Sequence, residues 1–539
     1  MSLINACASK RFLILDDLPE MRSSLRSQIG SLGCENVAVS GTVKDALELF
    51  REHSFDVVLC DYYLAGGTDG QQFLEYLRTH KLIGRGVVFI MVTAEKGYES
   101  VVTAAECLPD DYLLKPFTAE ILKIRLERLL EKKQRLLKVD QLQDKGDWVG
   151  VVRACEKIIA SRDRYLVDAM RINGNALLMA GQADKAVAFY EQTLNLRPMP
   201  WARLGLARSL AQMGETGRCK ETLMALIADA PRLMAAYDLL GKVQMSEGKA
   251  GLALETLDRA REISPNSLAR HRAIAGIAEA KGDFVRVEQA LAQVVQKTRN
   301  SPLRETEDIA RLGNALIELG APAKAVSLLE EARTNFKSDA DHPLLAAVEA
   351  IAQQQTGQPE KAAAALARAT KGEIAGLSSN VAMMVAKACL ANNQIEAAQG
   401  IYKSLVQNNP ESEALHKQIS EALDDAGVAG LAQDLVTSSI REVIHLNNEA
   451  VRKAKVGELS EAAAMLTDAA QRLPGNMQVV ANASAALLVE ILTHGIDPVK
   501  LRQAQAFQRA LQEKAPTHPK LAEIASLMQR IRDKYLAGA

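Results

Sequence analysis

At 539 residues the chain is too long for a single hydrophobic core, so several domains or a repeat array are expected. A formal net charge of -1 without a basic block argues against a general polyanion binder, and aromatics at 4 % beside abundant Ala and Leu favour helices packed through small side chains. The seven cysteines are scattered, with no C-x-x-C pair and no histidine cluster, which speaks against a zinc site or disulfide framework and for a reducing cytoplasm.

The first elements in chain order are β-prone runs alternating with helical spacing. "RFLIL" (11–15), "NVAVS" (36–40), "DVVLC" (56–60), "VVFIMV" (87–92) and "YLL" (112–114) read as strands. Between the first two, Met21, Leu25, Ile29 and Leu32 recur at the spacing of one helix face. Strands alternating with helices predict an α/β doubly wound, five-stranded parallel sheet with both faces covered. No signal-peptide pattern precedes the Asp16-Asp17 pair, and runs such as "VVFIMV" are too short to cross a bilayer, so no membrane insertion is expected.

In such sheets functional groups gather beyond the carboxyl ends of the strands. Asp16 and Asp17 follow the first strand, Asp61 the third, Thr93 the fourth, and Lys115 with Pro116 the fifth. Each alone reads as a turn or helix-cap residue. The five together, all at strand ends, predict a chemical site of carboxylates, a hydroxyl and an ammonium.

"LILDD", "VVLCDYYL", "MVTA" and "DDYLLKPF" carry a resemblance to the receiver domain of two-component response regulators, the flavodoxin-like fold, over residues 1–131. The resemblance implies that Asp61 accepts a phosphoryl group from a sensor histidine kinase or phosphotransfer protein. It implies a Mg²⁺ ion held by Asp17, Asp61 and the backbone carbonyl of Tyr63, with Asp16 acting through water. It further implies that Thr93 and Lys115 bind the phosphoryl group, that Tyr112 is the switch aromatic, and that the Lys115–Pro116 bond is cis. A homodimer through the fourth-helix–fifth-strand–fifth-helix face is also implied. The chain departs from the family pattern at Ala65, where many receivers carry proline, and in the Gly66-Gly67 pair beside it. Tyr63 is bulkier than many residues at its position and is expected to hinder water attack on the phosphoryl group. Glu95 borders the same opening.

The junction "TAEILKIRLERLLEKKQRLLKVDQLQDKG" holds no Pro or Gly before Gly146, and Thr118 suits an N-cap, so one continuous helix is expected over 118–145. Beyond it the β signal disappears and a period appears. Gly181, Gly214, Gly248 and Gly282 are spaced 33, 34 and 34 residues apart, and Gly320, Gly357, Asn393, Gly427 and Gly457 continue less regularly. Five positions after each stands a small or medium residue, from Ala186 to Ala462. Pro198, Pro231 and Pro265 follow the first three at a fixed offset. Each unit reads as two helices, the first ending at a glycine with positive φ and the second carrying the small residue and stopping at proline.

Residues 132–530 thereby resemble a tetratricopeptide array of roughly eleven units, an all-α superhelical solenoid. The resemblance implies an unknown protein or peptide partner in its groove, and polar positions such as Asn173, Arg208 and Gln244 are candidates for that surface. No helix-turn-helix or basic domain follows the receiver, so nucleic acid is not expected as a partner. No nucleophile elbow, metal cluster or phosphate loop is readable after residue 132, so no enzymatic output is expected beyond transfer to Asp61 itself. The functional reading is a cytoplasmic response regulator whose phosphorylation switches the protein interactions of its repeats. The alternative is a constitutive scaffold that uses the receiver for assembly.

Overall fold

The computed structural model describes residues 9–64, 69–94, 109–299, 301, 304–335, 342–372 and 376–536. Five strands, β1 (Phe12–Leu15), β2 (Val37–Ser40), β3 (Val57–Asp61), β4 (Val88–Thr93) and β5 (Asp111–Leu114), form one parallel sheet in the order β2-β1-β3-β4-β5. Among the described residues, three helices, α1 (Pro19–Ser31), α2 (Val43–Glu52) and α3 (Gly70–Thr79), cover it together with the long helix Ala119–Asp144. Successive strand residues go to opposite faces. Leu13, Val58 and Phe89 pack with Ala46 of α2 and Phe73 of α3 on one side. Phe12, Leu59 and Ile90 pack with Ile29 of α1 and Leu126 of the long helix on the other. That two-sided burial is why these strands read as unbroken apolar runs.

The chain order turns back between β1 and β3, so a crevice opens at their carboxyl ends. Pairing runs one residue further than the sequence indicates. Asp61 pairs with Val92, and Thr93 with Leu114, so both functional positions are the last residues of their strands.

The helix Ala119–Asp144 is the predicted continuous one, with the Thr118 hydroxyl accepting the Ile121 N–H at 3.4 Å. We call it the joint helix, because its first half fills the sheet core while its second half packs on the first repeat. Val139 joins Val151 and Cys155 of the helix Trp148–Ala160, and Ala176 of Leu166–Met179.

Beyond it the described chain is helical. Every predicted turn glycine has positive φ, from 70° at Gly282 to 89° at Gly457, and Asn393 takes the same conformation at 59°. The small residues five positions on are all buried, Ala186, Cys219, Ala253, Val287, Ala325, Ala362 and Ala398 completely. The helices Ala183–Leu196, Thr216–Asp229 and Ala250–Ile263 each stop two residues before a proline.

Two features depart from the sequence reading. Between Gly427 and Gly457 a single helix, Ala432–Lys455, replaces two, because no Pro or Gly interrupts residues 432–455. Among the described residues, Met477–His494 is long and apolar enough to cross a membrane by length and composition, with mean hydropathy 1.2. Asn482, Ser484 and Glu490 break up its apolar run in the sequence, and 56 % of it is buried within the fold. The chain divides into two compact units, 1–308 and 309–539, so the sheet domain and the first repeats share one unit.

Candidate functional site

Asp61 stands at the tip of central β3, its residue 8 % exposed. Asp16 and Asp17 follow neighbouring β1, and the three place a carboxylate oxygen each within 4.8 Å of the others. Asp16 is fully buried. Its Oδ1 accepts the Leu18 N–H at 3.0 Å, and the Arg22 guanidinium donates to its backbone carbonyl at 2.7 Å. Its direction is thereby fixed, while Asp17 is half-buried at the rim.

Lys115 reaches in from the end of β5. Its Nζ donates to Asp61 Oδ2 at 2.8 Å and to Asp16 Oδ2 at 2.9 Å. The following Lys115–Pro116 bond is cis. Burial alone would lower the Lys115 ammonium, but its bonds to Asp16 and Asp61 and their charges outweigh it and raise its pKa. Burial, helped by the charge of Asp16, lifts the Asp61 carboxyl above the usual range against the opposing pull of Lys115. Two buried carboxylates and one ammonium leave excess negative charge at the crevice. Oxygen donors at this spacing suit a hard divalent cation.

Thr93 ends β4, fully buried, and its backbone carbonyl accepts the Lys115 N–H at 2.7 Å. Thr93 and Tyr112 line one pocket with Leu114, Pro116, Phe117 and Arg125. The hydroxyl position and the aromatic are therefore neighbours on the side of the sheet end away from Asp16. Tyr63 is 57 % exposed, its ring edge-on to buried Tyr62 at 4.8 Å. All the predicted residues thus gather at one sheet edge. Ala65, Gly66, Gly67 and Glu95 lie outside the described residues.

Two further features shape the site from behind the acceptor, and the sequence shows Gly70 only as the opening of the next helix. Gly70 opens α3 directly behind the acceptor, where a Cβ would lie 2.4 Å from the Asp61 carbonyl oxygen and 2.7 Å from Met91 Sδ. Asp69 and Gln72 form a capping box at the same turn, with Asp69 Oδ1 accepting the Gln72 N–H at 2.7 Å. The D-x-x-Q spacing announces that cap. Nothing local announces the close approach at Gly70, because it depends on the neighbouring strand.

The candidate groove residues divide. Arg208 is exposed, and Gln244 is half-buried, accepting the Thr256 hydroxyl at 2.9 Å. Asn173 is only 4 % exposed, which corrects its reading as a surface group: it lies one residue before Gly174, on the face that packs inward.

A family profile described as the response regulator receiver domain matches residues 12–127. Chemotaxis protein CheY of Pseudomonas aeruginosa is 30 % identical over 122 residues, covering 23 % of this chain and 97 % of that protein. CheY-3 of Vibrio cholerae is likewise 30 % identical over 122 residues, with 23 % of this chain and 92 % of that protein covered. A receiver domain structure from Clostridium thermocellum is 22 % identical over 24 % of this chain and 98 % of its own, with a TM-score of 0.21.

Proposed function

We propose that this chain, which belongs to the response regulator receiver family through residues 12–127, is a phosphorylation-regulated cytoplasmic adaptor. The observation that carries the reading is Asp61 at the tip of a buried central strand, within 2.8 Å of Lys115 and beside two further carboxylates. An Asp61 carboxylate oxygen attacks the phosphorus of a phosphohistidine on a kinase or phosphotransfer protein. The P–O bond forms, the P–N bond breaks, and the imidazole nitrogen takes up a proton.

Asp17, Asp61 and the Tyr63 carbonyl would hold Mg²⁺, with Asp16 reaching it through water, and the donor set fits. The ion would neutralise the carboxylates and the incoming oxygens. Lys115 then exchanges its bond to Asp61 for one to the phosphoryl group, and Thr93 supplies a hydroxyl donor. Roughly 1.5 to 2 added negative charges draw Thr93 inward. Tyr112, across their shared pocket, turns into the space released. The joint helix carries the change to the helical repeats of 132–530, which bind a protein or peptide partner.

The test is incubation of the full chain with Mg²⁺ and an acyl phosphate, read by mass. Labelling of wild type and none of Asp61→Asn is expected. If wild type neither labels nor binds beryllium fluoride, the constitutive scaffold is the correct reading. A pull-down with and without the fluoride mimic then separates switched from constant partners.

A further inference from the structure

The joint helix is clamped on both sides. Toward the sheet domain, Lys133 Nζ binds Asp110 Oδ1 at 2.8 Å and the Arg85 carbonyl at 2.5 Å. Asp144 accepts the Arg85 N–H at 3.3 Å, and a Cβ on Gly84 would lie 2.9 Å from its Oδ2. Toward the first repeats, Lys132 pairs with Asp168 at 2.5 Å, Arg135 with Asp163 at 2.6 Å and Glu131 with Arg164 at 2.9 Å.

One group inside this clamp does not fit it. Asp140 is 7 % exposed and its Oδ2 has no hydrogen-bond partner among the described residues. The charges acting on it are Lys133 and Asp144 from its own helix, Asp110 before β5, and Arg85 in the turn before β4. On the packed helix Trp148–Ala160 the Cys155 thiol lies within reach of the Asp140 charge. Lys133 spends two of its three donors on Asp110 and the Arg85 carbonyl and makes no hydrogen bond to Asp140 Oδ2. Asp110 and Asp144 repel a charge there.

We propose that Asp140 makes the joint between receiver and repeats proton-sensitive, closed when its carboxyl carries a proton and loosened when it does not. Burial pushes that carboxyl up to about 6, so the change falls near neutral pH. In an unfolded or opened joint the group titrates near 3.9. The closed state is therefore fully favoured at low pH and loses that advantage as pH rises from about 4 to about 6. The device needs no phosphoryl group and acts on the resting protein.

Hydrogen exchange of the unphosphorylated full chain, corrected for the intrinsic pH dependence, tests it. The peptides covering 84–89 and 133–145 should lose protection as the pH rises from about 4 to about 6 and level off above it. Asp140→Asn should abolish that profile and slow exchange at pH 7.5 by about a hundredfold, the two units between the open and closed carboxyl, whereas Asp144→Asn keeps it. A flat wild-type profile overturns the proposal without any variant. So does a profile that persists in Asp140→Asn.

Discussion

Lys115 is the residue on which the site balances. Removing its ammonium leaves Asp16 and Asp61 buried against each other. Lys115→Ala should lose about 3 kcal/mol at pH 7, read by denaturant unfolding. The loss should shrink as the pH falls through the raised Asp61 carboxyl, since protonation removes the repulsion. At Gly70 the constraint is steric rather than electrostatic. An Ala Cβ would meet a backbone oxygen that cannot swing away, so Gly70→Ala should cost about 1–3 kcal/mol and slow Asp61 labelling more than Thr79→Ala at the exposed end of the same helix. Tyr63 stands exposed beside the acceptor. Its bulk shields the phosphoryl group in our reading, so Tyr63→Asn should dephosphorylate faster, and an unchanged rate would sink that role.

At the scale of the element, local chemistry was legible and long-range contact was not. The strands and the joint helix are within a residue or so of their sequence positions, because apolar runs, an N-cap and the absence of Pro and Gly are local signals. The site residues were legible because strand ends converge whatever the sheet order. Gly70's confinement and the inward face of Asn173 were not, since each depends on a packing neighbour that sequence spacing does not reveal, whereas the unbroken helix at 432–455 follows from a local lack of Pro and Gly. The repeat turns give a direct test of the backbone reading. Gly181 has φ of 73°, so Gly181→Ala should cost about 1–2 kcal/mol, seen as earlier unfolding of its unit. Asn393 occupies the same conformation with a side chain, and Asn393→Gly should instead gain about 0.5 kcal/mol.

The whole molecule divides into two compact units. Damage in the second unit should stay there. Tyr402 is completely buried within 309–539, and Tyr402→Ala should lose about 4 kcal/mol in that unit's transition while Asp61 labels at the wild-type rate. A calorimetric trace with one merged, uniformly shifted transition would contradict that independence. Inside the first unit the opposite holds. Leu126 belongs to the sheet core and Val139 to the first repeat, yet they sit on one helix without a break. The border between the two parts therefore has no loop in which a gene could be cut or recombined cleanly. A receiver ended at 131 would forfeit the Lys133–Asp110 bond, and repeats begun at 132 would start in mid-helix. Exchange of this receiver for another would have to carry the partners of the helix, Arg85 and Asp110, along with it.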